Sequence, residues 1–130
     1  MDPVAKNFIR LGVIYFLIAA IIGALIMFTK RIEYHQLKYA HVHLNLLGWM
    51  SMMIYGVGYH ILPRFNGNPL AFPKLAVVHF WLANIALIGL VSTWGLGYIY
   101  KGFGVLNVIG VAIFVFNILI SIRKPKDDEE

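Results

Sequence analysis

Ala40-His41-Val42-His43-Leu44-Asn45-Leu46-Leu47-Gly48-Trp49-Met50-Ser51-Met52-Met53-Ile54-Tyr55-Gly56-Val57-Gly58-Tyr59-His60-Ile61-Leu62 is the stretch on which the fold of this chain turns. It contains no Asp, Glu, Lys or Arg, and its length suits the roughly 20 residues that an α-helix needs to cross the hydrocarbon of a bilayer. Further stretches of the same character lie to either side, at residues 8–28, 75–96 and 103–122. The breaks between them carry stop signals. Thr29-Lys30-Arg31 and the polar residues 33–38 close the first gap. Pro63-Arg64-Phe65-Asn66-Gly67-Asn68-Pro69 fills the second, with Pro73-Lys74 opening the next helix, and a short turn at residues 98–102 makes the third. The first stretch is longer than a signal-peptide core, and Met27-Phe28-Thr29-Lys30 makes a poor cleavage site, so it counts as a membrane helix. The composition agrees. Of 130 residues 60% are hydrophobic and 13% charged, with a mean hydropathy of +0.75, where a soluble domain carries about 25% charged residues. Lipid is the solvent such a chain requires. The expectation is an all-α fold, an integral membrane four-helix bundle. It forms one transmembrane domain over residues 1–130, with helices at about 8–28, 40–62, 75–96 and 103–122 and a flexible acidic tail at 124–130.

The net charge of +5 and the pI near 9.6 do not point to nucleic acid. The basic residues flank apolar runs singly or in pairs, and no basic stripe interleaved with aromatics exists to track a phosphate backbone. They set topology instead. Lys6, Arg10, Arg64, Lys74, Arg123, Lys124 and Lys126 fall on one side of a four-span chain, and Lys30, Arg31, Lys38 and Lys101 on the other. This bias predicts a multi-pass protein of the cell membrane with both termini in the cytoplasm. With no cysteine, disulfides, thiolate nucleophiles, iron–sulfur clusters and covalent heme attachment are excluded. Metal ligation falls to the five histidines, the methionines and a few carboxylates. Catalytic triads, paired carboxylates and phosphate-binding glycine loops are missing.

His41 and His43 stand two residues apart, about 200° around an α-helix, so they project from nearly opposite faces and cannot readily chelate one ion. They can serve two sites. The His41 face continues through Asn45, Gly48, Met52, Tyr55 and Tyr59, with small and polar side chains. The His43 face continues through Leu47, Met50, Ile54, Val57 and Ile61 and is apolar. A planar macrocycle needs both kinds of wall, a gap left by glycine and a greasy enclosure. Ionisable residues at membrane depth are costly and mark function. An imidazole one turn into a helix can also serve merely by bonding water or lipid headgroups, and spacing alone leaves both readings open. His60 and His79 belong near the opposite face of the membrane; His43 and His60 lie about 25 Å apart along a helix and cannot share a metal. The pair is a second candidate site, for a metal or a quinol hydrogen bond, beside the plainer reading of interfacial residues. Met50, Met52 and Met53 sit at different angles and read as packing. Asn84, Asn107 and Asn117 read as interhelical hydrogen-bonding residues.

A set of landmarks runs through this region. Ala40-His41 opens the second helix, and Gly56-Val57-Gly58-Tyr59 leads to Leu62-Pro63. Gly67-Asn68-Pro69-Leu70-Ala71-Phe72-Pro73-Lys74 forms the loop, and Phe80-Trp81-Leu82 follows in the next helix. In order and character these residues resemble heme–copper oxidase subunit I and its nitric oxide reductase relatives, over residues 40–82. In that family the His of an Ala-His pair opening the second helix is an axial ligand of the low-spin heme. The oxidase core consists of three four-helix arcs around a pseudo-threefold axis, and its tenth helix, equivalent to the second by pseudo-symmetry, carries a His-x-His whose imidazoles ligate different hemes. His41-Val42-His43 is similar to both patterns at once. The resemblance therefore implies a fold like one arc of that core. It also implies a homotrimer that rebuilds a twelve-helix ring, each heme ligated by two neighbours. The later helices that bear the copper ligands, the cross-linked tyrosine and the high-spin heme histidine have no counterpart here.

Residues and resemblance together give a membrane protein that binds heme b as a bis-histidine cytochrome, in electron transfer or gas sensing. His41 and His43 ligate the heme iron, Asn45 supports them, and Gly48 lets the macrocycle approach. His60 and His79 form the second site, and an additional copper or other metal stays open. The partners are the lipid bilayer, further copies of the chain with a trimer favoured, and a quinol or cytochrome redox partner. A six-coordinate iron has no open position for substrate. The rival readings are a cofactor-free accessory or assembly subunit of a respiratory complex, and an oxygen or nitric oxide reductase-like enzyme formed as an oligomer. The charge bias makes the first prediction. A reporter fused after Glu130 is active only in the form that works in the cytoplasm, and clear activity of a periplasmic reporter there would reverse the orientation.

Overall fold

The structure, a computed structural model, describes residues 1–29 and 31–123, and of residues 31–33 the backbone alone. All its regular elements are helical. They are α1 (Pro3–Ile26), α2 (Arg31–His43), a π-helical segment (Leu44–Met50), α3 (Ser51–Phe65), α4 (Pro73–Ser92) and α5 (Tyr98–Ser121). Three of them, α1, α4 and α5, are long and apolar enough to cross a membrane. The chain is a multi-pass membrane protein in contact with the lipid bilayer. The expected tail at 124–130 lies outside the described residues.

The second helix departs from expectation in two ways. It starts at Arg31 and not near residue 40, so the polar residues taken as a break are helical. They contain neither Gly nor Pro and include good helix formers. The helix is also not α throughout. Residues 44–50 are π-helical, and the backbone runs through both junctions in right-handed helical geometry at His43 and Ser51. The Ser51 N–H bonds the Leu46 carbonyl five residues back, and the Ser51 hydroxyl donates to the same oxygen at 2.7 Å. At the other turn, the sequence places the reversal at residues 98–102. The structure places the reversal at Gly95 and Gly97, whose φ of 92° and 58° suits glycine, and α5 begins at Tyr98. α1 starts a turn before its apolar run because Pro3 occupies the first helical turn, where its missing N–H costs nothing.

Small residues set the spacing of the helices. A Cβ on Gly56 would lie 2.6 Å from Ile9 Cγ1 and 2.9 Å from the Ala5 carbonyl oxygen, so α1 crosses α3 at close range. Gly12 meets Met52 in the same interface. α4 is the central element. Of its membrane-spanning window 44% is buried, against 17% for α1 and for α5, whose Val13, Leu17, Ile21, Val105, Val108 and Leu119 face outward. Phe8, Met52, Tyr59 and Leu87 are among the most deeply buried side chains.

Two asparagines read from sequence as interhelical ties make such ties. Asn84 of α4 accepts a hydrogen bond from the buried Tyr15 hydroxyl of α1 at 2.6 Å and donates to the Phe80 carbonyl at 2.7 Å. Asn117 of α5 grips both backbone groups of Phe72: its Oδ1 accepts from the Phe72 N–H at 3.1 Å, and its Nδ2 donates to the Phe72 carbonyl at 2.9 Å. Ser121 adds a bond from the Ala71 N–H at 2.9 Å. The loop between α3 and α4 is thus clamped by the last helix. Asn117→Ala removes two hydrogen bonds at about 1 kcal/mol each. We expect it to lower unfolding stability in mild detergent by about 2 kcal/mol, with the helical content at low denaturant unchanged.

Candidate functional site

α2 ends with the two histidines the sequence singled out, and the structure fixes both rings by the same device. His41 Nδ1 lies 2.8 Å from the Ala19 carbonyl oxygen of α1, and His43 Nδ1 lies 3.0 Å from the Tyr39 carbonyl oxygen one turn back. A carbonyl can only accept, so each Nδ1 carries the proton, and each Nε2 presents a lone pair. A metal-ligating histidine needs that tautomer. Each ring borders its own groove. On the α1 side His41, Phe16, Ala20, Val42, Asn45 and Leu46 line a space of about 510 Å³. On the side of the α4–α5 turn His43, Tyr39, Trp94, Val42, His35 and Lys38 line one of about 250 Å³.

The surroundings of the two rings differ. His43 stacks on Tyr39 with centroids 3.9 Å apart. Tyr39 in turn stacks on Trp94 at 4.0 Å, and Tyr100 closes edge-on against both. This aromatic pile ties α2 to the turn between α4 and α5. His41 is bordered instead by Gly23 of α1, where a Cβ would stand 2.7 Å from the imidazole Cε1. Sequence reasoning missed Gly23 because nothing in a single sequence says which glycine of α1 faces α2. Asn45 donates from Nδ2 to the His41 carbonyl at 2.8 Å and lines the same groove. Gly48, expected to make room for a macrocycle, is buried and already close to other side chains. A Cβ there would lie 2.9 Å from Tyr15 Cβ and 3.3 Å from a Leu87 methyl. Its lack of a side chain serves helix packing within the chain.

The structure gives His60 and His79 separate partners. His60 lies at the end of the molecule that holds the N-terminus, with its Nδ1 3.6 Å from Asp2, and Arg64 donates to the same carboxylate at 3.1 Å. Burial alone would raise the Asp2 carboxyl, but Arg64 and His60 outweigh it and hold the group below its usual 3.8. His79 is fully buried among Phe8, Tyr55 and Phe114, its Nδ1 2.8 Å from the Tyr59 hydroxyl. Among the described residues no three His, Cys, Asp or Glu side chains gather as a metal site. What the described residues offer at the end of α2 is two single imidazoles, each bordering a groove of its own.

The family described as "Cytochrome C and Quinol oxidase polypeptide I" matches residues 3–126. The chain is 33% identical over 63 residues to the Cbb3-type cytochrome c oxidase subunit CcoN1 of Stutzerimonas stutzeri, covering 48% of this chain and 13% of that protein. It is 41% identical over 49 residues to cytochrome c oxidase subunit 1 of Rhodobacter capsulatus, covering 37% of this chain and 9% of that protein. The chain thus matches a small part of the length of these relatives. No solved structure matches it.

The tautomers are open to direct measurement. In 15N NMR of histidine-labelled protein in micelles, the neutral rings of His41 and His43 show the Nδ1-protonated form, while that of the exposed His35 shows the Nε2-protonated form usual in water. Gly23→Ala pushes a methyl into the His41 ring and shifts that residue alone toward a mixture. An unchanged His41 signal in that variant would count against the contact.

Proposed function

The chain belongs to the cytochrome c and quinol oxidase polypeptide I family, and from that premise we propose that it binds heme b through His41 and His43 as a membrane cytochrome. The observation that carries this reading is the pair of Nδ1–H bonds to the Ala19 and Tyr39 carbonyls, which leaves Nε2 as the acceptor of each neutral ring beside a groove, with Asn45 Nδ2 3.4 Å from that of His41. The residues fit the group on this structure's own terms. Both imidazoles are held in the ligating tautomer, Gly23 leaves the His41 ring the space a Cβ would take, and the groove walls are apolar apart from His41, Asn45, His35, Lys38 and His43. Lys38 supplies positive charge for the propionates at the rim of the second groove.

When bound, the heme held by His41 and His43 would supply one-electron transfer. The chain's own part is to fix the ligands and exclude water. The Ala19 and Tyr39 carbonyls hold the imidazoles in place, and Trp94 stacks on the Tyr39 ring. Asn45 holds the His41 carbonyl at the start of the π segment. π-Helical turns recur at functional sites, and this one begins one residue after the His-x-His pair. In this reading α2, the π segment and α3 act together as a fourth membrane crossing, which makes the chain a four-helix bundle like one arc of the oxidase core. The chain works as a homo-oligomer with a quinol or cytochrome redox partner, and His60 and His79 stand outside the heme site.

A visible spectrum of the purified protein tests the reading. We expect a sharp Soret band with resolved α and β bands on reduction. Replacing both His60 and His79 with Gln should leave heme per chain within about twofold of wild type, since neither ligates in this scheme. A featureless spectrum would favour a cofactor-free accessory subunit. Loss of heme from the double Gln variant would put the site at the wrong end of the molecule.

A further inference from the structure

Asn107 of α5 is the third asparagine whose place in a membrane helix suggests a tie between helices, and within the chain it ties nothing. Asn84 and Asn117 are buried, and the bonds that hold them have no equivalent at Asn107 among the described residues. Asn107 is half-buried and stands nine residues after Tyr98, where α5 begins. That is roughly 14 Å along the helix, too deep for so short a side chain to reach a headgroup. Hydrocarbon gives a carboxamide nothing to bond, so the group is unfavourable there until it meets a partner. Gly104, about one turn earlier on the same flank, is a second feature with no use inside the chain. At Gly58, Gly89 and Gly110 a Cβ would meet a side chain of another helix, whereas at Gly104 no atom lies within 4 Å. Glycine inside a helix weakens it, so this gap serves a neighbour outside the chain.

Val108, Val111 and Val115 continue the flank from Gly104 at spacings of four, three and four residues, the rhythm with which two helices interlock. All three valines are exposed. Together with Asn107 they fall within a sector of about 100° around the helix, beside the face that Phe103 and Phe114 turn to the core. We propose that this flank of α5 is a contact with a second copy of the chain, related by a two-fold axis along the membrane normal, in which Asn107 bonds Asn107. Self-pairing follows from the chemistry of the group. A carboxamide carries donors and an acceptor, so two of them satisfy each other. Copies inserted in one orientation hold Asn107 at the same depth, and a two-fold axis sets the residue opposite itself. Glycine at position 104 lets the two helices approach closely enough for these short side chains to meet. The contact deepens the functional reading by giving its homo-oligomer a defined face, and it needs no heme.

The absence of cysteine makes the test direct. Val108→Cys, Val111→Cys and Ile109→Cys are each made in the full chain, placed in lipid vesicles and oxidised with copper phenanthroline. The first two should form interchain disulfides at least about tenfold faster than Ile109→Cys, whose side chain points away from the seam. Native mass should correspond to an even number of chains, two being the simplest. Asn107→Leu should weaken association about tenfold, and Asn107→Gln, which keeps the carboxamide, should retain most of it. Gly104→Ile should also weaken association, with helical content unchanged because nothing in the chain occupies that space. Equal rates at the three cysteines, an odd number of chains, or association untouched by Asn107→Leu each overturns the contact. So does a Val108→Cys chain that captures a different membrane protein in place of itself. An oligomer that cross-links only through other helices overturns this contact and leaves the functional reading standing. A wild-type chain that stays single in the vesicles fails the contact and the homo-oligomer together, while its heme content is measured apart from both.

Discussion

Hydrocarbon offers no hydrogen bonds, so each backbone N–H and C=O at membrane depth must find its partner within protein. That constraint explains why every element here is helical and why the irregular places are so heavily bonded. Where α4 begins, Phe72 has left the helical pattern, and Asn117 supplies both a donor and an acceptor to it. Where the second helix widens into a π turn, the Ser51 hydroxyl adds a bond to the Leu46 carbonyl. The histidines obey the same rule. A neutral imidazole has one N–H, and in a nearly dry site that proton goes to the nearest carbonyl. For His41 this is Ala19, and for His43 it is Tyr39. The constraint that shapes the backbone thereby also sets the tautomer of both rings, with Nε2 as the acceptor and Asn45 Nδ2 3.4 Å from that of His41.

Packing then depends on where side chains are missing. Between apolar helices in lipid no hydrophobic force sorts one interface from another, so close approach of small residues does much of that work. Gly12 and Gly56 bring α1 against α3, and Gly48 admits Tyr15, which in turn reaches Asn84. Gly23 gives the imidazole of His41 its place beside α1. These glycines occupy different faces and make different contacts, so a single substitution in one interface need not disturb the next.

The apolar runs showed in the sequence because bilayer thickness imposes a length and lipid imposes a composition, and both are visible without an alignment. His41 and His43 stand out in the sequence for the same reason, as ionisable groups in apolar surroundings. Other features were hidden. The π segment carries no mark in residues 44–50. The polar start of α2 reads as a break between apolar runs because polarity there is also a stop signal, although residues 31–39 lack any helix breaker. The last turn reads from sequence at residues 98–102, but Gly95 and Gly97, just before that stretch, take the positive φ. Gly23 and the Tyr39–Trp94 stack depend on which helix faces which. Those facts arise from tertiary structure, which one-dimensional periodicity does not contain.

The clamp on the α3–α4 loop also bears on the order in which the molecule is made. Asn68, Ala71 and Phe72 are bonded by Asn117 and Ser121, which the ribosome adds about fifty residues later. Until α5 enters the membrane, those groups have only headgroups and water to bond, so they must remain near the surface. The early helices can pair through Gly12 and Gly56 as soon as they are inserted, whereas the hairpin of α3 and α4 stays loosely seated. Arrival of the C-terminal helix is then a closing step in biogenesis. A chain released before Asn117 would carry an assembled first half and an unfastened second, which is the kind of half-built product that membrane quality control removes.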